Sequence, residues 1–148
     1  MAREAMITIN CERYSKNIID VITMICNAGW TYYNENKFVR YLPLGDDDEF
    51  GWKSDLISDG EIYDLIDDKQ QENELIGLEM YLDKSDIGIT ILARNTKEIL
   101  INLNNNRKTI DDSRDSFTDV GWYFYNLLKK IQNKGCAIDY ICFEEYTD

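Results

Sequence analysis

Leu75-Ile-Gly-Leu-Glu-Met-Tyr-Leu82 is the first of three consecutive segments that decide the fold of this chain. The second is Asp86-Ile-Gly-Ile-Thr-Ile-Leu-Ala93, and the third is Glu98-Ile-Leu-Ile-Asn-Leu103. Apolar residues recur at every second position in each segment, which is the pattern of a β-strand with one face on a core and the other nearer water. Because only short polar stretches separate the segments, they predict an antiparallel meander.

Helical patterns lie on both sides of the meander. Apolar residues recur at helical spacing over about residues 11–27 and 118–133, with Asn10 as the expected N-cap of the first helix. Between these two helices, Ser58-Asp-Gly-Glu61 matches the capping box that opens a helix, and we expect a short helix there. Aromatic and β-branched residues predict the remaining strands at 30–33, 37–42 and 136–143.

The predicted elements follow the order α-β-β-α-β-β-β-α-β. This order is typical of an α+β fold in which three helices pack on a mainly antiparallel sheet. At 148 residues, of which 44% are hydrophobic, the chain is large enough for one well-packed core. A single proline, Pro43, and eight glycines leave no room for a flexible linker. We therefore expect residues 1–148 to form a single acidic α+β domain.

The cysteines and the apolar runs indicate a compartment. The spacing of Cys11, Cys26, Cys136 and Cys142 fits neither a zinc site nor a redox pair, and their apolar neighbours favour buried free thiols. The first ten residues lack the apolar core of a signal peptide, and no run reaches the roughly 18 apolar residues of a membrane span. These observations predict a cytoplasmic protein that does not enter a membrane.

The negative charge of the chain is concentrated in residues 46–86, which we name the acidic segment. It holds fifteen acids and three bases, a net charge of −12, whereas the rest of the chain has thirteen of each and is neutral. A one-signed field on one part of a small protein attracts a cationic partner and repels nucleic acid and anionic membranes. We therefore expect a basic protein partner. The alternative, that the acids only form a solvated surface, stays open at this point.

A loop predicted over residues 44–57 opens the acidic segment and supplies most of the candidate contacts. Two aromatics lie among its acids, and they either anchor an interface or hold the loop to the domain. The outer face of the second helix adds three more carboxylates. The candidate partner-binding residues are Asp46, Asp47, Asp48, Glu49, Phe50, Trp52, Asp64, Asp67 and Asp68.

The residue types argue against an enzyme. The chain contains no histidine, which removes the commonest general base and the Ser-His-Asp and Cys-His arrangements. It has no glycine-rich phosphate cradle. Asp111-Asp-Ser-Arg-Asp115 resembles the start of a calcium loop, but Ser116 and Trp122 occupy the positions where such a loop needs Gly and Glu. We therefore predict no catalytic residues, no metal site and no cofactor.

A small, acidic α+β chain without catalytic motifs resembles the immunity proteins of bacterial contact-dependent and polymorphic toxin systems. The resemblance lies in size and charge. It implies a cognate toxin, most simply a nuclease whose substrate-binding surface is cationic, and a mechanism of occlusion in which the acids speed association. The alternative function is a nucleic-acid-mimic inhibitor, such as an anti-CRISPR or anti-restriction protein, which would use the same acids. The identity of the partner and the oligomeric state do not follow from the sequence.

Overall fold

A computed structural model of the chain, which describes residues 3–147, shows one antiparallel sheet with helices on one face. The elements in chain order are β1 (Arg3–Asn10), α1 (Ile18–Asn27), β2 (Trp30–Thr31), β3 (Val39–Tyr41), β4 (Lys53–Asp55), α2 (Asp59–Gln71), β5 (Ile76–Leu82), β6 (Gly88–Ala93), β7 (Ile99–Asn102), a third helix and β8 (Tyr140–Thr147). The third helix runs through α3 (Val120–Tyr123), a π-helical turn (Phe124–Leu128) and α4 (Lys129–Asn133). No helix in the described range is long and apolar enough to cross a membrane.

The strands lie in the order β4-β3-β5-β6-β7-β1-β8, and β2 pairs with the end of β5. All pairings are antiparallel, which confirms the predicted α+β class. The predicted meander forms β5, β6 and β7, with Leu78 opposite Ile91 and Ile91 opposite Ile101. Directly opposite residues share a face of the sheet, and these three side chains are buried on the face that carries the helices.

The first strand was missing from the sequence prediction. β1 pairs with both β7 and β8, so it lies inside the sheet. Ala5, Ile7 and Ile9 alternate with half-buried residues and belong to the core. The first helix consequently begins at Ile18 and not at residue 11. Asn10 is not its N-cap, since the Asn10 side chain accepts from the Glu12 N–H in a turn that leaves β1.

Two other boundaries differ from the prediction. β4 lies inside the loop predicted over residues 44–57 and pairs with β3. The last strand begins at Tyr140 and continues to Thr147, so it starts and ends later than the strand predicted over 136–143. Glu145 is accommodated there because Arg3 and Arg107 both lie 3.2 Å from the same carboxylate oxygen. These long-range partners are invisible to a reading of local pattern.

The second helix follows its predicted start closely. The Ser58 side chain accepts from the Glu61 N–H and the Glu61 side chain reaches back, so the capping box is confirmed. Ile62 and Ile66 are buried against the core. Lys69 is buried as well. A lysine is almost never fully buried unless its ammonium group has polar partners.

Two of the four cysteines are buried as predicted, and two are only half-buried. Cys11 and Cys136 are fully buried with their sulfur atoms 3.8 Å apart, and Cys26 and Cys142 are half-buried. All four are free thiols. Their burial is consistent with a packing role for these side chains.

Gly77 allows the loop after β3 to close on the sheet. A Cβ atom at Gly77 would lie 2.6 Å from Leu42 and 2.9 Å from Trp52. We expect Gly77→Ala to lower the free energy of unfolding by about 2 kcal/mol, because the packed side chains must shift. Urea denaturation measures this. The matched control is Gly60→Ala in α2, where nothing lies within 4 Å and the change should be neutral or stabilising by about 0.5 kcal/mol. Equal effects of the two changes would contradict the close contact.

Candidate functional site

Residues 43–52, which we name the acidic loop, connect β3 to β4 and are held by a buried lysine. Only 1% of the Lys69 side chain is exposed. Its ammonium donates to the backbone carbonyls of Pro43 at 2.6 Å and Asp46 at 2.8 Å, and the Glu74 carboxylate lies 3.4 Å away. Glu74 also accepts from the Gly45 N–H at 2.8 Å. Because a buried ammonium must be satisfied, these contacts fix the acidic loop to the C-terminal end of α2.

Asp46 folds the acidic loop from within. Its carboxylate accepts from the backbone N–H groups of Glu49, Phe50 and Gly51, at 3.0, 3.2 and 2.7 Å. The side chain is buried and therefore turned away from any partner. The structure thus places this candidate contact residue in a supporting position.

Asp47 joins the acidic loop to the sheet. Its carboxylate accepts from the Leu75 N–H at 2.9 Å and from the Arg94 guanidinium at 2.6 Å. The hydrogen bond from Leu75, and then that from Arg94, hold the pKa of Asp47 below its usual range. The charge of Asp47 is thereby largely neutralised, although the side chain remains exposed.

The two aromatics of the acidic loop have different environments. Trp52 is half-buried on Gly77, on the sheet face opposite the helices, and the Arg40 guanidinium lies 5.5 Å from its ring centroid. It holds the loop to the domain. Phe50 is 49% exposed and has a φ of 58°, a left-handed conformation that is unusual for a bulky residue. Strain of this kind concentrates at functional sites, and here it presents an apolar ring to solvent.

Several carboxylates of the acidic segment are free. Asp48 is 68% exposed, and its one ion pair, with Arg94, is long at 3.8 Å. Seven other acids of the acidic segment are exposed, and within residues 3–147 their side chains form no hydrogen bond or ion pair. They are Glu49, Asp64, Asp67, Asp68, Glu72, Asp83 and Asp86. Their charges are unpaired and available to a partner.

Helical geometry divides the acids of α2 between two flanks. At 100° per residue, Asp68 and Glu72 lie on the side of Lys69, which contacts the acidic loop, and Asp64 points outward. Asp67 lies on the opposite flank, in a cleft that Lys16 and Gln70 also line. We group Asp48, Glu49 and Phe50 with Asp68 and Glu72 as the acidic surface, because Lys69 and Glu74 join the acidic loop to the end of α2 that carries the last two.

Sequence reasoning missed two members of this region. Glu72 lies at the C-cap of α2, two residues before the Glu74 carboxylate that holds Gly45. Leu44, beside Gly45, is exposed in the acidic loop and adds a second apolar side chain. Leu44 lies between Pro43 and Gly45, two residues typical of turns. Its exposure could have been predicted from this position, because a turn at the surface rarely buries a large side chain.

The remaining acids of the acidic segment lie elsewhere or serve the fold. Asp83 and Asp86 flank the β5–β6 turn, at the other end of β5 from the acidic loop. Asp59 accepts from the hydroxyls of Tyr32 and Tyr33, and Asp55 accepts from Tyr41. Burial and the Asp55 contact raise the pKa of Tyr41 to about 12. The clustering in sequence is therefore only partly a clustering in space.

No family model, curated protein or solved structure matches this chain. The geometry of the site itself must therefore carry the functional inference.

The hydrogen bond with Cys11 lowers the pKa of the Cys136 thiol, but the Cys136 side chain is fully buried. Within residues 3–147, no cluster of three or more carboxylates or thiols is arranged to hold a metal ion. Burial raises the pKa of the Cys26 thiol to about 11, which disfavours the nucleophilic thiolate. A cleft of about 890 Å³ lies near Arg3, Arg107 and Asn104, but both arginines pair with Glu145.

Asp46 should contribute stability and not charge. We expect Asp46→Ala to lower the free energy of unfolding by about 2 kcal/mol, because three backbone N–H groups lose their acceptor. The matched control is Glu49→Ala at an exposed position of the same loop, which we expect to change it by less than about 0.5 kcal/mol. Urea denaturation of both variants measures the difference. A neutral Asp46→Ala would show that the acidic loop does not depend on this carboxylate.

Proposed function

We propose that this chain is a non-enzymatic inhibitor that binds a basic protein partner through the acidic surface. The observation that carries the proposal is the acidic loop itself. Buried groups fix its backbone, and they leave Phe50 exposed in a strained conformation beside unpaired carboxylates. A rigid loop loses little conformational entropy on binding, so the buried contacts that hold this loop favour affinity.

The charges and the ring have separable tasks in this proposal. Asp48, Glu49, Asp68 and Glu72 attract the cationic partner over a distance and speed association. Phe50 enters an apolar recess on the partner and slows dissociation, as buried aromatic anchors do at interfaces. The supporting residues Asp46, Asp47 and Lys69 keep these groups in place and make no contact with the partner.

The partner class that fits best is a bacterial toxin whose active surface is cationic, with this chain as its immunity protein. A nuclease binds phosphate through Lys and Arg, and its substrate groove is complementary to a compact acidic surface with an apolar centre. The absence of histidine and the raised pKa of the Cys26 thiol support inhibition by occlusion. Isolation of the partner with the tagged chain as bait in its native host tests this class directly, and recovery of a protein without a basic surface would contradict it.

The charge of the acidic surface should control the association rate. We expect the double variant Asp48→Asn and Glu49→Gln to associate with the purified partner roughly tenfold more slowly at low salt, and the difference to shrink as salt rises. The matched control is Asp83→Asn and Asp86→Asn, which makes the same charge change at the far end of β5. Stopped-flow mixing measures both. Equal slowing by the two variants would mean that total charge and not the acidic surface steers binding.

Phe50 should show a trade between stability and affinity. Phe50→Gly relieves the left-handed strain, so we expect the free energy of unfolding to rise by about 1 kcal/mol. The same change removes the anchoring ring, and we expect dissociation from the partner to accelerate at least roughly tenfold. Urea denaturation and surface-based dissociation kinetics measure the two effects. A loss of stability would instead show that the ring packs on the domain.

A further inference from the structure

The two edges of the sheet differ sharply. β4, at one edge, has three residues, all exposed. β8, at the other, has eight residues and pairs with β1 along its full length, from Tyr140 opposite Asn10 to Thr147 opposite Arg3. The register never slips, so β8 contains no bulge. Within residues 3–147, no strand or loop backbone pairs with the outer edge of β8.

β8 lacks the features that normally protect an edge strand. Pro, Lys, bulges or inward-pointing charges normally prevent an edge strand from pairing with a strand of another chain. The sequence Tyr-Ile-Cys-Phe-Glu-Glu-Tyr-Thr contains no Pro, Lys or Gly and is rich in residues that favour strands. Only 9% of the Glu145 side chain is exposed, and Arg3 and Arg107 neutralise it. Glu144 alone remains as an exposed charge on the described strand.

We propose that β8 pairs antiparallel with β8 of a second copy of this chain, which joins the two sheets into one. Two-fold pairing of identical strands satisfies the free backbone groups of both copies at once. It also covers Tyr140, Ile141 and Tyr146, which are exposed apolar side chains of this strand.

Apolar surface next to β8 extends this contact. The Phe117 ring is exposed and lies 4.9 Å from the Arg3 guanidinium, at the end of β8 that contains Thr147. Antiparallel pairing brings this end of one copy against the Tyr140 and Ile141 end of the other. Each Phe117 then lies toward apolar side chains of the second copy.

The distribution of charge favours a second copy over a strongly charged partner, because this edge is nearly neutral. A chain of net charge −12 would ordinarily repel itself, but residues outside the acidic segment are neutral as a group. β5 is the strand of the acidic segment nearest to β8, and four strand spacings separate the two, or about 19 Å. In the dimer the two acidic segments are then roughly 40 Å apart, well beyond the Debye length of about 10 Å. The acidic surfaces remain free at opposite ends.

Sedimentation equilibrium of the full chain tests the proposal. We expect a concentration-dependent monomer–dimer equilibrium, and we expect Ile141→Glu to weaken the dimer at least roughly tenfold, because it places new charges across the paired strands. Leu56→Glu is the matched control, since it makes the same charge change at an exposed apolar residue just after β4 and should leave the dimer intact. Tyr140→Glu repeats the test at a second exposed position, and circular dichroism confirms that each variant is folded.

Hydrogen exchange locates the contact. In the dimer, the β8 amides that point away from β1 should exchange slowly, and in Ile141→Glu they should exchange rapidly. A protein that is monomeric at all accessible concentrations would overturn the proposal, as would a dimer that Ile141→Glu leaves unchanged. Partner binding through the acidic surface is independent of this contact, so the monomeric variant should still bind the partner.

Discussion

The buried ammonium of Lys69 is the interaction on which the acidic loop depends. A charged group inside a protein is tolerated only when hydrogen bonds and an opposite charge replace its water. Here the Pro43 and Asp46 carbonyls and the Glu74 carboxylate fill that role. The partners that the Lys69 ammonium requires therefore determine where the acidic loop meets α2. Two further contacts complete the loop. Asp46 accepts from backbone N–H groups within the loop, and Asp47 accepts from Arg94.

This arrangement divides the acids into two groups with different tasks. Asp46, Asp47, Asp55 and Asp59 accept hydrogen bonds that hold the fold. Others, such as Glu49 and Asp68, are exposed without partners. A dense acidic sequence is therefore compatible with a stable domain, because many of its carboxylates accept hydrogen bonds within the fold. Only the unpaired carboxylates create a negative field around the protein. The proposed binding role rests on the exposed Asp48 and Glu49, which adjoin the strained and exposed Phe50 in the acidic loop.

The sheet separates two surfaces that have opposite character. The acidic surface lies at the β4–β3–β5 side, and the neutral β8 edge closes the other side. Backbone pairing is insensitive to the sequence of the partner strand, whereas charge attracts only a cationic partner. The two proposed contacts therefore lie on different sides of the sheet and do not compete.

The sequence by itself determined the meander, the capping box at Ser58 and the α+β class, because alternation and helix caps act between residues close in the chain. It also located the acidic loop and its two aromatics. Only the tertiary structure decided that Asp46 is buried, that Trp52 packs on Gly77 while Phe50 is exposed, and that β1 lies inside the sheet. These outcomes depend on contacts such as those of Lys69 with Asp46, Trp52 with Gly77 and β1 with β8, which span more than twenty residues. Local pattern carries no information about such distant partners.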